Sequence, residues 1–205
     1  MYTFKKFKSK SIPTISRAKN EYLYLRKLGK VLDFTSGWTG FASLGHNNDK
    51  ILRAIKKQMN KFCHADYNEF NNPLVDKLSK KIVSYSPNKS KKIWYSGNSG
   101  SEAIEAAMKL SYQVHVSEGN SKKVKFINRS QSFHGAMLSP LSVTTIDIFE
   151  VFKKIKNKTI QISQNNIYTK YNSKLSMGKM KNETNKEHLE RSLFELENKI
   201  KKSNP

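Results

Sequence analysis

An α/β fold, with a mainly parallel sheet flanked by helices, is predicted by three observations on this 205-residue sequence. A strand-like run, a glycine–serine turn, a helix and a second strand-like run follow one another over residues 91–128, the length expected of a right-handed parallel crossover. Two amphipathic helices precede that unit, and helical patterning returns after it. No run approaches the roughly 20 apolar residues of a membrane span. The length suits one sizeable domain, or one and a half.

The elements read in order as follows. Residues 1–20 are basic and weakly patterned, and an extended arm is expected there. "KVLDFTSGWTGFASLGH" (30–46) reads as a short strand followed by a glycine-punctuated loop. Over 48–62, Ile51, Leu52, Ile55, Met59 and Phe62 recur at helical spacing, with Asn48 or Asp49 as N-cap. A second helix is expected over roughly 73–85, opening at Pro73 with Leu74, Leu78 and Ile82 on one face. Both stripes are expected to pack into a core.

"KKIWYSG" (91–97) predicts a strand, "NSGS" a turn, 101–117 a helix and "KVKFIN" (123–128) a further strand. A helix is expected again after "SQSFHGAM". From about 157 the asparagine- and lysine-rich chain is weakly patterned, until Leu189, Leu193, Leu196 and Ile200 mark a helix over 184–202. No internal repeat is evident.

Charge narrows the function classes. Lysine and arginine number 38 against 16 acidic residues, a net charge of +22. The basic residues are spread over the whole chain, whereas a nucleic-acid groove would cluster them with interleaved aromatics. No zinc-finger spacing, RNA-recognition motif or basic zipper is present. A specific nucleic-acid partner is therefore not expected, nor is a membrane. Nonspecific adhesion to polyanions at low salt is expected on charge alone. The N-terminal "MYTFKKFKSKSIP" lacks the apolar core of a signal peptide, so a cytoplasmic location is expected. The lone Cys63 cannot form an internal disulfide.

The chemistry concentrates at "YSGNSGSEAIEAAMKL" (95–110). In a parallel α/β sheet, ligands sit where strands lead into helices. A helix start offers unpaired N–H groups and the positive end of a dipole, which suits an anion such as phosphate. Gly100 allows close backbone approach, and Ser99 and Ser101 add hydroxyls. Taken alone, the same loop reads more readily as an ordinary N-cap. It is neither a nucleotide P-loop, which needs a following Lys–Ser/Thr pair, nor a GxGxxG turn. Phe133 and His134 follow the next strand and are expected at the same sheet edge. An aromatic face and an imidazole beside a phosphate site suit a flat heteroaromatic phosphate ester; the alternative is a buried Phe and a hydrogen-bonded core His.

Taken together, "LDFTSGWTGFASLGH", "NSGSEAIEAAMKL" and "KFINRSQSFHGAMLSPLSVT" resemble the N-terminal part of the class-III aminotransferases, which use pyridoxal 5′-phosphate. The resemblance runs from about residue 22 to 147 and weakens beyond. It implies an incomplete type-I pyridoxal-phosphate transferase fold. Residues 1–35 would form an arm belonging to a smaller domain, and 36–205 the first part of the large cofactor-binding domain. It further implies that Ser99, Gly100 and Ser101 hold the cofactor phosphate, that Phe133 stacks on its ring and that His134 lies beside it. Trp38 falls where the family's substrate pocket begins. Glu102 follows the phosphate loop in the family pattern, and a first-turn carboxylate is also what a helix dipole favours.

Transfer of an amino group between an amine or amino acid and an oxo acid, by a homodimer when complete, is what the family implies. That chemistry needs a lysine that carries the cofactor and moves a proton, and an aspartate facing the pyridine nitrogen. In the family both lie well downstream of "FHG". Neither "IYTKYN" nor "KLSMGKM" resembles the lysine segment, and neither Asp76 nor Asp147 sits in the aspartate motif. No catalytic residue is therefore assigned, and truncation before those motifs, with an inactive chain, is the expectation. The alternatives are a non-catalytic phosphate-ester-binding protein, half of a split enzyme or, further off, a basic nucleic-acid binder.

Overall fold

The computed structural model describes residues 12–37, 40, 42–66, 69–87, 92–146, 151–152, 154–155, 160–162, 164–170, 176–180 and 182–203. The chain divides into two compact units, 1–86 and 87–205.

The first unit begins with an antiparallel meander of β1 (Ile15–Lys19), β2 (Tyr22–Leu25) and β3 (Gly29–Leu32). It replaces the extended arm expected up to residue 20. Arg17 and Lys30 both pair with Tyr24, and Lys19 pairs with Tyr22. The Arg17 guanidinium lies 3.7 Å from the centre of the Tyr24 ring, and the Lys30 ammonium the same distance from that of Tyr22. Basic side chains thus cover aromatic rings on a strand surface, which hid the alternation that normally advertises a sheet.

Two helices follow. α1 (Asp49–Met59) starts where Asn48 accepts hydrogen bonds from the backbone of Lys50 and Ile51. α2 (Pro73–Tyr85) starts where Asn72 accepts from Leu74 N, with Pro73 in the first turn. α2 matches its expected span, and α1 falls within the expected 48–62 but ends at Met59. Their apolar stripes do not match the expected burial: Ile55 is 51% exposed and Leu78 50%. Periodicity identifies the face that a neighbour could cover but does not provide the neighbour.

In the second unit α3 (Gly100–Ser117) is followed by β4 (Ile127–Arg129) and the short α4 (Leu138–Val143). β4 pairs in parallel with β5 (Ile160–Ile162), Asn128 opposite Gln161. β6 (Gln164–Lys170) pairs in parallel with β7 (Ser176–Lys179). The strand expected over 91–97 forms no ladder in its described residues, 92–97. β4 therefore finds its parallel partner downstream, in a stretch whose polar composition gave no strand signal.

α5 (Asn185–Lys202) opens on a capping box. Thr184 Oγ1 accepts from Glu187 N, and the Glu187 carboxylate accepts from Thr184 N. Just before it, the Glu183 carboxylate takes a two-pronged pair from Arg191 at 2.7 and 2.8 Å and the N–H of Met180 at 2.7 Å. The guanidinium holds the Glu183 carboxyl down at about 2, well under its ordinary value.

Burial centres on α4. Leu141 and Val143 are the buried apolar residues among those described, joined by Pro140, Ser142, Thr144, Asn128 and Ser130. No helix among the described residues is long and apolar enough to cross a membrane.

Candidate cofactor site

The first turn of α3 is built as its sequence requires. Ser99 is the N-cap, its backbone extended and its Oγ accepting from Glu102 N at 3.3 Å. Ala103 N donates to Ser99 O, also at 3.3 Å. Those two bonds satisfy the third and fourth amides. The N–H groups of Ser99, Gly100 and Ser101 have no hydrogen-bond partner among the described residues. A Cβ at Gly100 would meet nothing within 4 Å, so the helix start is uncrowded at that residue. Three consecutive uncommitted amides at a positive dipole end are the donor set that a phosphate needs.

Glu102 does more than favour the dipole. Its Oε2 accepts from Asn98 N at 2.7 Å, and a Cβ at Gly97 would overlap that same carboxylate. In the usual capping box the third-position carboxylate returns to the N-cap amide. Here it reaches one residue further back and leaves the Ser99 amide uncommitted.

The second motif comes to the same place. Ala136 N donates to Ser101 Oγ at 3.2 Å, across 35 residues of sequence. Gly135 has φ +133°, and a Cβ there would stand 2.6 Å from Ser101 Oγ and 2.8 Å from Pro140 Cβ. Only glycine lets the 133–136 loop approach the helix this closely. Ser139 Oγ donates to Glu105 Oε1 at 3.1 Å, a further tie between α4 and α3.

The loop is also held from beneath. Thr144 Oγ1 accepts from His134 N at 3.0 Å and lies within donor reach of the Gly135 and Pro140 carbonyls, at 2.8 and 3.0 Å. Thr145 Oγ1 accepts from Ser132 N and donates to Arg129 O. Phe133 is 59% exposed and His134 half-buried. A groove of about 720 Å³ runs beside α3, lined among others by Trp94, Gly97, Glu102, Ala106, Leu110 and Met137.

The structure thus brings Ser101 against the loop that carries Phe133 and His134, within one unit. Trp38 lies outside the described residues. Sequence reasoning missed Gly135, Ser139 and Thr144. The glycine of "FHG" was visible, but its partner lies 34 positions upstream, and nothing local names it. No group of His, Cys, Asp and Glu side chains that could hold a metal occurs among the described residues.

Around "LDFTSGWTGFASLGH" the first unit forms a separate polar cluster. Asp33 Oδ1 accepts from Thr35 N and Thr35 Oγ1, while Oδ2 accepts from Gly37 N at 2.6 Å and lies 2.9 Å from His46 Nε2. The His46 contact, first among these, holds the Asp33 carboxyl down at about 2.

Comparison with known proteins agrees with this architecture. The sequence model of the aminotransferase class-III family matches residues 4–204. An uncharacterized aminotransferase of Schizosaccharomyces pombe is 37% identical over 131 residues, 64% of this chain and 28% of that protein. The adenosylmethionine-8-amino-7-oxononanoate aminotransferase of Staphylococcus aureus is 33% identical over 163 residues, 75% of this chain and 34% of that protein. The omega transaminase of Pseudomonas jessenii, solved in complex with PMP, superposes with a TM-score of 0.81 at 20% identity, over 98% of this chain and 44% of that one. The adenosylmethionine-8-amino-7-oxononanoate aminotransferase structure from Methanocaldococcus jannaschii gives 0.68 at 28% identity, over 78% and 38%.

The fold is that of the type-I pyridoxal-phosphate transaminases, represented in part. The chain belongs to the class-III aminotransferase family. It spans about a third of the length of the curated relatives it matches.

Proposed function

We propose that this chain is the phosphate-gripping portion of a pyridoxal-phosphate-dependent aminotransferase, one that moves an amino group from an amine or amino acid to an oxo acid. The observation that carries the reading is the hydrogen bond from Ala136 N to Ser101 Oγ. It joins the glycine–serine loop and the "FHG" loop into one site, the pairing that a phosphate attached to a flat ring requires.

When bound, pyridoxal phosphate supplies an electron-sink ring on which the amino group is carried. The residues of this chain hold and orient it. The amides of Ser99, Gly100 and Ser101 receive the phosphate oxygens, with the Ser99 and Ser101 hydroxyls beside them. Phe133 offers the face for the ring, and His134 stands next to it. In this reading Trp38 begins the substrate pocket, 1–35 belongs to a smaller domain and 36–205 opens the large one. The complete enzyme is a homodimer acting on a small amino donor and an oxo-acid acceptor. Neither the carrier lysine nor the ring-facing aspartate is assigned within this chain, and in this reading the chain by itself binds the cofactor without transaminating.

The test is a titration of the 205-residue protein with pyridoxamine 5′-phosphate, which lacks the aldehyde that would react with surface lysines. Physiological salt suppresses adhesion to the +22 chain. Amide resonances of Ser99, Gly100 and Ser101 should shift, pyridoxamine without phosphate should bind far more weakly, and Gly100→Asp should weaken binding at least about fivefold through like-charge repulsion. Equal binding by the wild type and Gly100→Asp would sink the reading.

A further inference from the structure

The geometry points to Glu102 as a positioning residue for the anion loop, which sets both the order of its amides and the charge of anion that it prefers. The inference rests on the phosphate reading above and asks what tunes that same site.

A loop entering a helix has several amides in a row, and each can be taken by the protein or left for a ligand. Here the Ser99 hydroxyl takes Glu102 N and the Ser99 carbonyl takes Ala103 N. Glu102 Oε2 takes Asn98 N at 2.7 Å. The carboxylate therefore ends the donor series on its upstream side, and Ser99, Gly100 and Ser101 form a bounded set of three. Gly97 places no Cβ against the carboxylate where it accepts from Asn98 N.

The same group brings a negative charge to the rim of a site that receives another. A glutamine in its place keeps an oxygen acceptor for Asn98 N and removes the charge. An alanine removes both. The two changes therefore separate positioning from electrostatics: a residue acting only through its charge makes the variants alike, and one acting through its hydrogen bond makes them differ.

The experiment titrates the wild type, Glu102→Gln and Glu102→Ala with pyridoxamine 5′-phosphate at physiological salt, following the Ser99–Ser101 amide resonances. Phosphorus-31 shifts of the bound ligand against pH are recorded in parallel. Glu102→Gln should bind about two- to fivefold more tightly than the wild type, the range expected for a charge near a helix terminus. Its bound phosphate should lose its second proton at a lower pH than on the wild type. Glu102→Ala should bind roughly tenfold more weakly than Glu102→Gln, the scale of a lost cap. Equal affinity in the two variants, or no gain with glutamine, overturns this inference and leaves the phosphate reading standing. No site-resolved binding by the wild type overturns both.

Discussion

The imidazole of His46 and the carboxylate of Asp33 lie 2.9 Å apart across 13 residues of sequence, and the Asp33 side chain is only 5% exposed. The same carboxylate gathers Thr35 N, Thr35 Oγ1 and Gly37 N. His46 in turn exchanges both backbone hydrogen bonds with Asn20, at the turn between β1 and β2. One ionised group thus ties the two ends of the 33–46 loop together, and the backbones of Asp33 and His46 fasten those ends to Glu21 and Asn20.

The pH dependence follows from that fastening. The Asp33 carboxyl is held at about 2 against an ordinary 3.8, so the folded state favours its ionised form. The contribution is complete above about pH 5 and is lost as pH falls through 4 towards 2. Amide exchange at Gly37 and His46, each corrected for its intrinsic rate, should show protection falling across that window. Asp33→Asn should remove the dependence, and a flat profile in the wild type would contradict this account.

Gly135→Ala should be costly. A Cβ there meets Ser101 Oγ at 2.6 Å, Pro140 Cβ at 2.8 Å and Ser101 Cα at 3.0 Å, with the backbone at φ +133°. Overpacking of this kind costs about 1–3 kcal/mol. A urea titration monitored by an amide in α4 should show a lowered midpoint. A midpoint within error of the wild type would mean that the loop and α3 are not in contact.

Thr144→Val keeps the side-chain shape and removes the hydroxyl that His134 N uses. Thr144 is 1% exposed, so water cannot replace the lost partner without entering the core. About 1–3 kcal/mol of stability should go, the cost of a polar group left unpaired. The His134 amide should exchange several-fold faster, whereas the Glu187 amide, capped independently by Thr184, should not change. Equal acceleration at both would point to global loosening.

The helices were legible because their signals are local. Asn48, Asn72, Ser99 and Thr184 cap the helices whose apolar spacing announces them. The glycine–serine loop was legible for the same reason. The pairing of strands was not. Residues 91–97 carry strand-forming types but form no described ladder, while β4 and β5 pair across 33 positions between Ile127 and Ile160. The meander was obscured by Arg17, Lys19 and Lys30, whose charges break the apolar alternation although their stems lie on a strand surface. Within the site, Ser101 could be named from its motif, but its acceptance of Ala136 N depends on how the chain returns.

That return has a consequence for how the site can diverge. Ser101 holds Ala136 by its amide, Thr144 holds His134 by its amide and Thr145 holds Ser132 by its amide. Every one of these bonds ends on the main chain, so none specifies which side chains the 132–136 loop presents. The loop is a bracket whose fittings at 133 and 134 can be exchanged by mutation while the bracket keeps its place. A lineage could change the side chains presented at 133 and 134 in single substitutions, without first passing through a misfolded intermediate.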